Sequence, residues 1–585
     1  MTKLTPWKQF KYSALAIACG AALFNTTALA AESNFSGRIT DASNSVYFEG
    51  AKVRLIELDI TTITARDGSF RFSNVPQGTY TLEINYLGAE KVTKSITVGT
   101  DGEIQQSFVI GSDIRSIENV IVYGQRAGQA GSINRQRNAD NLMSVVSADT
   151  IGQSPDQNAA EALQRLPGMS IQRDQGEGRF VAIRGIDPNL NNVTINGVNV
   201  PSPESGVRSV AMDVIPSELI QSLEVSKTVT PDMDANAVGG SVEVKSLSAF
   251  DKQEQSYSVT IQGSYNELME ESSPKLSGSF TDVFQLSGGS QLGIASAISW
   301  FERKFGSHNI ETGSGWGDFE YEDSVTGEDF ETFGAEEIEQ RHYAITRERL
   351  GIALNFDLHT SLTDKYYLRT LYSQFSDDEF RTSNQYKLSD GALDSSSYTQ
   401  GSAQFIDAEM ERGTKDRYEE QEILSIVFGG SNQLNQWLVE YDVGFSKSQE
   451  DEPNRIDVAF AGEGLLLGYQ STGDVPRLIQ SAAAHDLTNF EIDEIAYENN
   501  HAEDEEISVK LDLSRDFVWN NNNGIFKFGF KHQSREKSNN VDVTIYDGGF
   551  DEVTAANFET ASPRYELGDF GPSISQSGLS SYVNS

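Results

Sequence analysis

The sequence predicts a mainly β chain in four parts: a cleaved leader, a small β-sandwich, a compact α+β unit, and an incomplete antiparallel transmembrane β-barrel. Three observations lead there. Fifty glycines against 14 prolines, with 10% aromatics, describe strands joined by tight turns. Beyond residue 255, apolar residues recur at period two over about ten residues in segment after segment. The connections between those segments alternate between short and long. Length and charge set further bounds. A chain of 585 residues calls for several fold units, and a net charge of −41 repels phosphate backbones, so no nucleic acid is expected as a partner. No uncharged apolar run reaches the ~18 residues of a spanning helix, which excludes a polytopic helical protein and leaves a β-barrel open.

Residues 1–30 read as a signal peptide. Lys3, Lys8 and Lys11 precede an apolar stretch from Ala14 to Phe24, and Ala28-Leu29-Ala30 supplies a small-residue cleavage site. A short buried helix is the plainer alternative, and Cys19 as a lipoprotein acceptor another, although Ala16 stands where leucine is usual. Cleavage before Ala31 removes Cys19, the one cysteine, and with it any disulfide, thiol nucleophile or thiolate metal site.

Residues 31–112 carry short strands: FSGRIT, AKVRLIEL, TTITARDGSFRFSNV, GTYTLEINYLG, KVTKSITV and IQQSFVI. Asp67-Gly68 and Pro76-Gln77-Gly78 are turn signals, and Phe70/Phe72 and Tyr80/Leu82/Ile84 alternate at period two, so a β-sandwich is expected. The opening at Gly37 to Val53 and the stretch Asp67 to Leu82 resemble the carboxypeptidase-regulatory-like domain, which implies an accessory module. In residues 113–141, the β-branched stretch Ile117 to Val122 precedes a polar tract from Gly124 to Asn141 that reads as a flexible linker. An isolated strand beside such a tract suits pairing with another protein's sheet edge; a seventh sandwich strand is the alternative.

Residues 142–250 form the α+β unit. Ser154-Pro155 with Gln157 has a capping-box pattern for a helix whose Ala159, Ala162, Leu163 and Leu166 share one side until Pro167-Gly168 ends it. FVAIRG, NVTINGVNV, SLEVSKTV and SVEVKS read as strands, with a short helix opening at Pro216. LQRLPGMSIQ at 163–172, VAIRGIDPNLNNVTINGV at 181–198 and LIQSLEVSKTVTPDMDANAVGGSVEVKS at 219–246 resemble the plug domain of TonB-dependent outer-membrane receptors. The wording DMDANAVGG…SVEVKSLSAFD is similar to a carbohydrate-uptake subgroup. The resemblance implies that Glu118, Asn119, Val120, Ile121 and Val122 are the TonB box, which pairs with the TonB energy-transducing complex. Pro167, Gly168, Arg184, Gly185, Gly197, Gly239 and Gly240 stand in the plug motifs. Glycine there permits close backbone approach under a barrel wall, and Arg184 is expected either to anchor the plug to wall carboxylates or to lie at an ordinary surface.

Residues 251–585 read as a partial barrel. Ile352, Leu354, Phe356 and Leu358 alternate with Ala353, Asn355, Asp357 and His359, and Trp437, Val439, Tyr441, Val443 and Phe445 with Leu438, Glu440, Asp442, Gly444 and Ser446. A soluble sandwich alternates similarly, but it has no reason to sort its loop lengths by parity. Strands are expected near 255–265, 275–286, 292–303, 347–360, 365–376, 421–430, 436–447, 505–515 and 524–534. Connections after even strands are short, and three of the four others run to about 40 residues, which places the first strand rising from the periplasm. Receptors of this class have roughly 22 strands, so nine or ten visible here read as part of a longer protein. The chain ends in SSYVNS at Ser585 without a terminal aromatic strand.

The long connections are acidic and are expected to be solvated, to select against anions, or to bind divalent cations. Trp316, Phe319, Tyr321, Phe330 and Phe333 punctuate the first; Trp316 and Tyr321 are candidate sugar-stacking residues, a packed aromatic cluster being the alternative. No zincin, Walker or nucleophile-elbow motif occurs, no cofactor is expected, and the chain does not read as an enzyme. Asp232, Asp234, Asn236 and Glu243 fit EF-hand spacing, but Ala237 replaces the required glycine, and the plug motif accounts for the same residues, so no metal is expected. The expected function is active import of a large substrate across the outer membrane of a Gram-negative bacterium. An oligosaccharide is the first choice of cargo and a ferric siderophore or metal chelate the second. A secreted glycan-binding β protein is the rival.

Overall fold

The computed structural model describes residues 32–41, 47–99, 103–110, 123–151, 156–251, 255–471, 473–519, 522–550 and 553–584. The expected signal peptide, residues 118–122 and Ser154-Pro155 lie outside the described residues.

The first unit is a two-sheet sandwich. Ser69–Pro76, Glu32–Thr40 and Glu103–Val109 form one sheet; Ile60–Ile63, Lys52–Leu55, Gly78–Asn85 and Val92–Val98 form the other. Alternate residues face inward and bury Phe35, Phe70, Phe72, Val53, Leu82 and Val98 between the sheets. Asp67-Gly68 makes the expected turn, with Gly68 at φ +71.

The tract read as a flexible linker is instead a helix, Tyr123–Asn138. Among its described side chains Ala130 packs on the sandwich core, and polar groups make further attachments. Asn134 Oδ1 accepts from the Leu87 amide at 3.1 Å, and Asn138 Nδ2 donates to the Gly50 carbonyl at 2.8 Å, both in the sandwich. Arg135 reaches the plug, donating to Glu224 at 2.8 Å and Ser222 at 3.2 Å, while lying 3.7 Å from Glu49 of the sandwich. Helical periodicity of apolar residues cannot report such an element.

The plug unit is built on a five-stranded sheet in the order Val198–Asn199, Asn191–Ile195, Gly240–Ser246, Ile220–Ser226, Met143–Ser147. A separate hairpin, Met169–Asp174 with Glu177–Ile183, stands off it. The helix spans only Ala159–Leu163, and its cap is Asn158, four residues beyond Ser154; the Asn158 side chain accepts from the Glu161 amide. Gly168 then turns the chain at φ +74, and a 3-10 turn follows Pro216 as expected.

The last unit is one antiparallel sheet of nine long strands in sequence order: β1 Ser256–Asn266, β2 Glu271–Gln285, β3 Gln291–Thr312, β4 Glu337–His359, β5 Lys365–Lys387, β6 Ser402–Leu434, β7 Trp437–Gln470, β8 Glu491–Trp519 and β9 Asn522–Tyr546. Register sorts the faces. Ile294, Phe356, Leu368, Phe428, Val443 and Val509 stand in one row across β3 to β8. The adjacent row is Ala295, Asn355, Arg369, Val427, Gly444 and Ser508. Ile352 is 41% exposed and Val443 48%, whereas Ala353 is 1% and Asn355 1% exposed. The apolar row thus faces outward and the small or polar row faces the plug, as a lipid-bounded wall requires.

Links after even strands are short, such as 286–290 and 360–364, as expected. The long connections differ from expectation: part of 304–346 and about two thirds of 377–420 and 448–504 is a continuation of the strands themselves. Ladder hydrogen bonds continue past the apolar band because backbone pairing is indifferent to acidic side chains, and cross-strand partners such as Lys447 with Glu503 at 2.7 Å compensate the charge. Residues 553–584, ending in helix Gln576–Val583, pack against this outer extension; Asn384 donates to the Phe570 carbonyl and Arg412 to the Pro572 carbonyl.

Candidate functional site at the plug and wall

The inner face of the wall is shaped to accept the plug. Gly444 lies where an added Cβ would collide with Val198, and Gly351 where one would stand 2.6 Å from Leu219. Ser446 and Ser448 donate to the Asn199 and Pro201 carbonyls, and Asn355 donates to Ser246 and the Leu247 carbonyl. Ala297, Ala353, Leu371, Phe375 and Ile423 of the wall join the plug's own core of Leu163, Ile183, Ile195, Val214 and Leu223.

Above this apolar contact sits a buried ionic cluster. The plug hairpin delivers Glu177, 1% exposed, to Arg303, Arg347 and Arg349 on β3 and β4. Arg347 also pairs with Asp377 at 2.8 Å and with Asp174 at 2.8 Å, and Arg349 donates to the Asp213 carbonyl at 2.9 Å. Burial alone would raise the Glu177 carboxyl, but Arg349, Arg347 and Arg303 outweigh it and hold the group well below the usual carboxylate range. Burial prevails at Asp213, whose carboxyl is held above its ordinary value despite nearby Arg179 and Arg349.

The ion pairs between plug and wall do not run through Arg184, whose side chain is exposed. Arg184 turns back into the plug, at φ +56, and its guanidinium donates to the Gly239 carbonyl at 3.0 Å. The wall supplies the arginines and the plug the carboxylate. Glu177, Arg347 and Arg349 carried a readable signal that was missed: Arg347 and Arg349 occupy the inward alternation of the strand whose outward positions are Leu350 and Ile352.

Next to the hairpin tip lies a cavity of about 400 Å³ whose lining includes Arg173, Asp174 and Arg179 of the plug and Tyr343, Lys415 and Arg417 of the wall. Neither of the aromatic candidates lines it. Tyr321 is 3% exposed, packed edge-on against Phe405 in the outer apolar cluster, and Trp316 stacks on Phe333 and meets Tyr469 edge-on. The other plug-motif residues are structural: Gly185, Gly197 and Gly240 take positive φ, and Gly239 has Asn191 where a Cβ would stand. Pro167 offers its carbonyl to Lys227 at 2.6 Å. The EF-hand-spaced residues are occupied separately: Asp232 by Lys527, Asp234 by Lys531, and Glu243 by Thr194 and the Gly197 amide.

At the short-turn rim the sandwich contacts wall and plug. Lys365 reaches Asp67 at 2.9 Å, Arg38 reaches Gln291 at 3.5 Å, and Arg66 reaches Asp251 at 2.7 Å.

Residues 135–241 match the model of the TonB-dependent receptor plug domain, and residues 35–122 that of the CarboxypepD_reg-like domain. The chain carries a TonB-dependent receptor plug domain. The outward apolar rows are what a lipid-bounded wall requires. Among solved structures, the chain is similar to the unliganded ferric citrate transporter FecA at 11% identity, with a TM-score of 0.26 over 71% of this chain and 80% of that one. It is similar to the siderophore receptor PirA of Acinetobacter baumannii at 10% identity, TM-score 0.26, over 72% and 82%. A cohesin–X-dockerin complex from Acetivibrio cellulolyticus matches at 21% identity and TM-score 0.12, over 13% of this chain and 52% of that one. No curated protein matches the chain.

Proposed function

We propose that the receptor actively imports a large ligand, an oligosaccharide in the first instance, using force delivered by the TonB complex at Glu118 to Val122. The observation that carries this reading is the placement of the plug. Its outer hairpin borders an open cavity, its flanks are bonded to the wall, and its inner side is tied through Arg135 to helix Tyr123–Asn138, which follows Val122 directly. Ligand at the cavity touches the same hairpin that presents Glu177 to the wall arginines. Occupancy at one site therefore biases the state of the plug, which is the linkage that import requires: ligand and TonB must prefer the same plug state. The TonB box is β-branched in sequence, which suits adding an edge to a TonB sheet by backbone hydrogen bonds.

Val120→Pro removes one such donor. Ligand binding should persist and uptake should be lost; unchanged uptake would refute the assignment of the box. Cargo is decided by direct titration of the receptor, purified from outer membranes in detergent, with neutral and acidic oligosaccharides and with ferric siderophores. Tight siderophore binding with no glycan binding would reverse the order of cargo proposed here.

A further inference from the structure

Where the plug meets β6 and β7, one plug arginine serves three carboxylates and a fourth carboxyl has no cation. Arg179 of the hairpin lies 2.7 Å from Glu204 in the plug loop 201–208, 3.5 Å from Glu419 on β6 and 3.5 Å from Asp174. Glu450 on β7 stands behind them in the outer extension, 7% exposed, and among the described residues it forms no ion pair. Gln421, its register partner on β6, donates to it at 2.7 Å and to Glu419 at 2.8 Å through the same amide nitrogen. Both amide hydrogens are thereby committed, while the Gln421 Oε1 is buried and receives no hydrogen bond. A protonated carboxyl has an O–H to fill that acceptor and a carboxylate has none. The surrounding charges are engaged elsewhere. On β6, Arg417 pairs with Glu419 at 2.8 Å, Glu379 at 3.5 Å and Asp377 at 3.8 Å, and on β7 Glu452 pairs with Arg455 at 3.4 Å. β8 presents Ala502 opposite Glu450, and its Asp504 takes Arg535 at 2.5 Å and Lys537 of β9 at 3.7 Å. Lys537 otherwise donates to the Ser202, Glu204 and Val207 carbonyls of the loop. Asp213 of the plug adds a carboxyl whose oxygens are both buried without a partner. Burial, reinforced by Glu419 and Glu204 and outweighing Arg179, pushes the Glu450 carboxyl up to about 8.

We propose that Glu450 is a proton-operated latch between wall and plug: protonated, it donates to Gln421 and the loop 201–208 stays docked, and ionised, it repels Glu204 and drives the loop off the wall. The proton passes to water, and the carboxylate left behind faces Glu419 and Glu204 with Arg179 already shared. The loop's other ties, from Ser448 to the Pro201 carbonyl and from Lys537 to three carbonyls, end on backbone and do not titrate on the loop side. Arg179 lines the cavity of about 400 Å³, so release of the loop it holds through Glu204 reshapes the cavity wall. The latch goes beyond the import reading and is independent of the cargo. Its sign follows from linkage. Glu450 holds its proton in the docked state and titrates near the ordinary ~4.3 once released, so docking is fully favoured below that value. Docking then weakens as pH rises toward the docked value, by at most about tenfold per pH unit, and levels off above it.

The test is spin-label spectroscopy of the full chain in outer membranes, without ligand, with a nitroxide on Arg208→Cys, an exposed position of the loop. The ratio of mobile to immobile label is read between pH 6 and pH 9, with Glu450 intact and in Glu450→Gln, whose amide has the shape of the protonated acid. With Glu450 intact the ratio should rise by about tenfold or more across that range. In Glu450→Gln it should stay at its pH 6 value throughout, since the neutral side chain still serves Gln421 and never repels Glu204. Asp213 and Glu204 titrate in both receptors, so the difference between the two curves is the share of Glu450. A ratio that does not change with pH while Glu450 is intact would overturn the latch without recourse to any variant. The same rise in Glu450→Gln would overturn it as well, assigning the titration to another carboxyl. Calcium chloride that restores docking at pH 9 with Glu450 intact, and not in Glu450→Gln, would also overturn it, by putting a bound cation in place of the proton.

Discussion

Glu177 illustrates how much one side chain can hold. It is buried among three arginines, so removing its charge leaves Arg349 with no carboxylate and weakens Arg303 and Arg347. Breaking a buried pair from one side costs about 3–5 kcal/mol, so Glu177→Gln should lower the thermal midpoint of plug release measured in detergent. Arg184→Ala gives the contrast: its side chain is exposed and makes one carbonyl contact, so a loss of about 1 kcal/mol or less is expected from the same measurement. Asp67, at the rim, predicts a pH dependence. Burial would raise its carboxyl, yet Lys365, His359 and Arg38 hold it well below the usual range. A depressed carboxylate contributes stability that is fully present above its ordinary value of ~4 and is lost only as pH falls through the lower folded value. The sandwich should therefore stay docked when pH falls from 7 to 5, with an unchanged digest of residues 32–110 under a protease active at both values. Release at pH 5 would contradict this.

Among the elements, helix Tyr123–Asn138 separates what was legible from what was not. Wall strands could be read because each has a lipid side and a plug side, and period two records both: nine expected strands correspond to β1 through β9. The helix records neither, since Asn134, Arg135 and Asn138 dock it by polar bonds whose partners lie 47 to 89 residues away. Strand ends were illegible for a related reason. Apolar alternation stops at the bilayer edge, while the ladder of β6 and β7 continues outward through Asp416 and Ile456. The plug site was half-legible: the motifs located the unit, but Glu177 and Arg347 meet only once the hairpin is placed against the wall. Arg135→Ala should detach the helix from Ser222 and Glu224, and faster proteolysis between residues 110 and 143 with an intact plug would show it. Gly444→Val should be poorly tolerated, because its side chain would occupy the space of Val198; reduced yield of folded receptor in the outer membrane is expected.

At the scale of the whole molecule, one sheet has two solvents. Its outward rows expose Ile298, Ile352, Phe428 and Ile507 at 41 to 54%, an apolar belt that water would not tolerate and lipid requires. Its inward rows hold the plug through serines, asparagines, glycines and the arginine cluster. Import depends on that division, since a plug can be moved by force only inside a wall the membrane holds still. Spin labels placed singly at Ile352, Ala353, Phe428 and Val443 in receptor-bearing outer membranes test it most directly, by comparing collision with oxygen, which partitions into lipid, and with a water-soluble nickel chelate. Labels at Ile352, Phe428 and Val443 should favour oxygen strongly and the label at Ala353 should be shielded from both; chelate-accessible labels at the three outward positions would contradict the account.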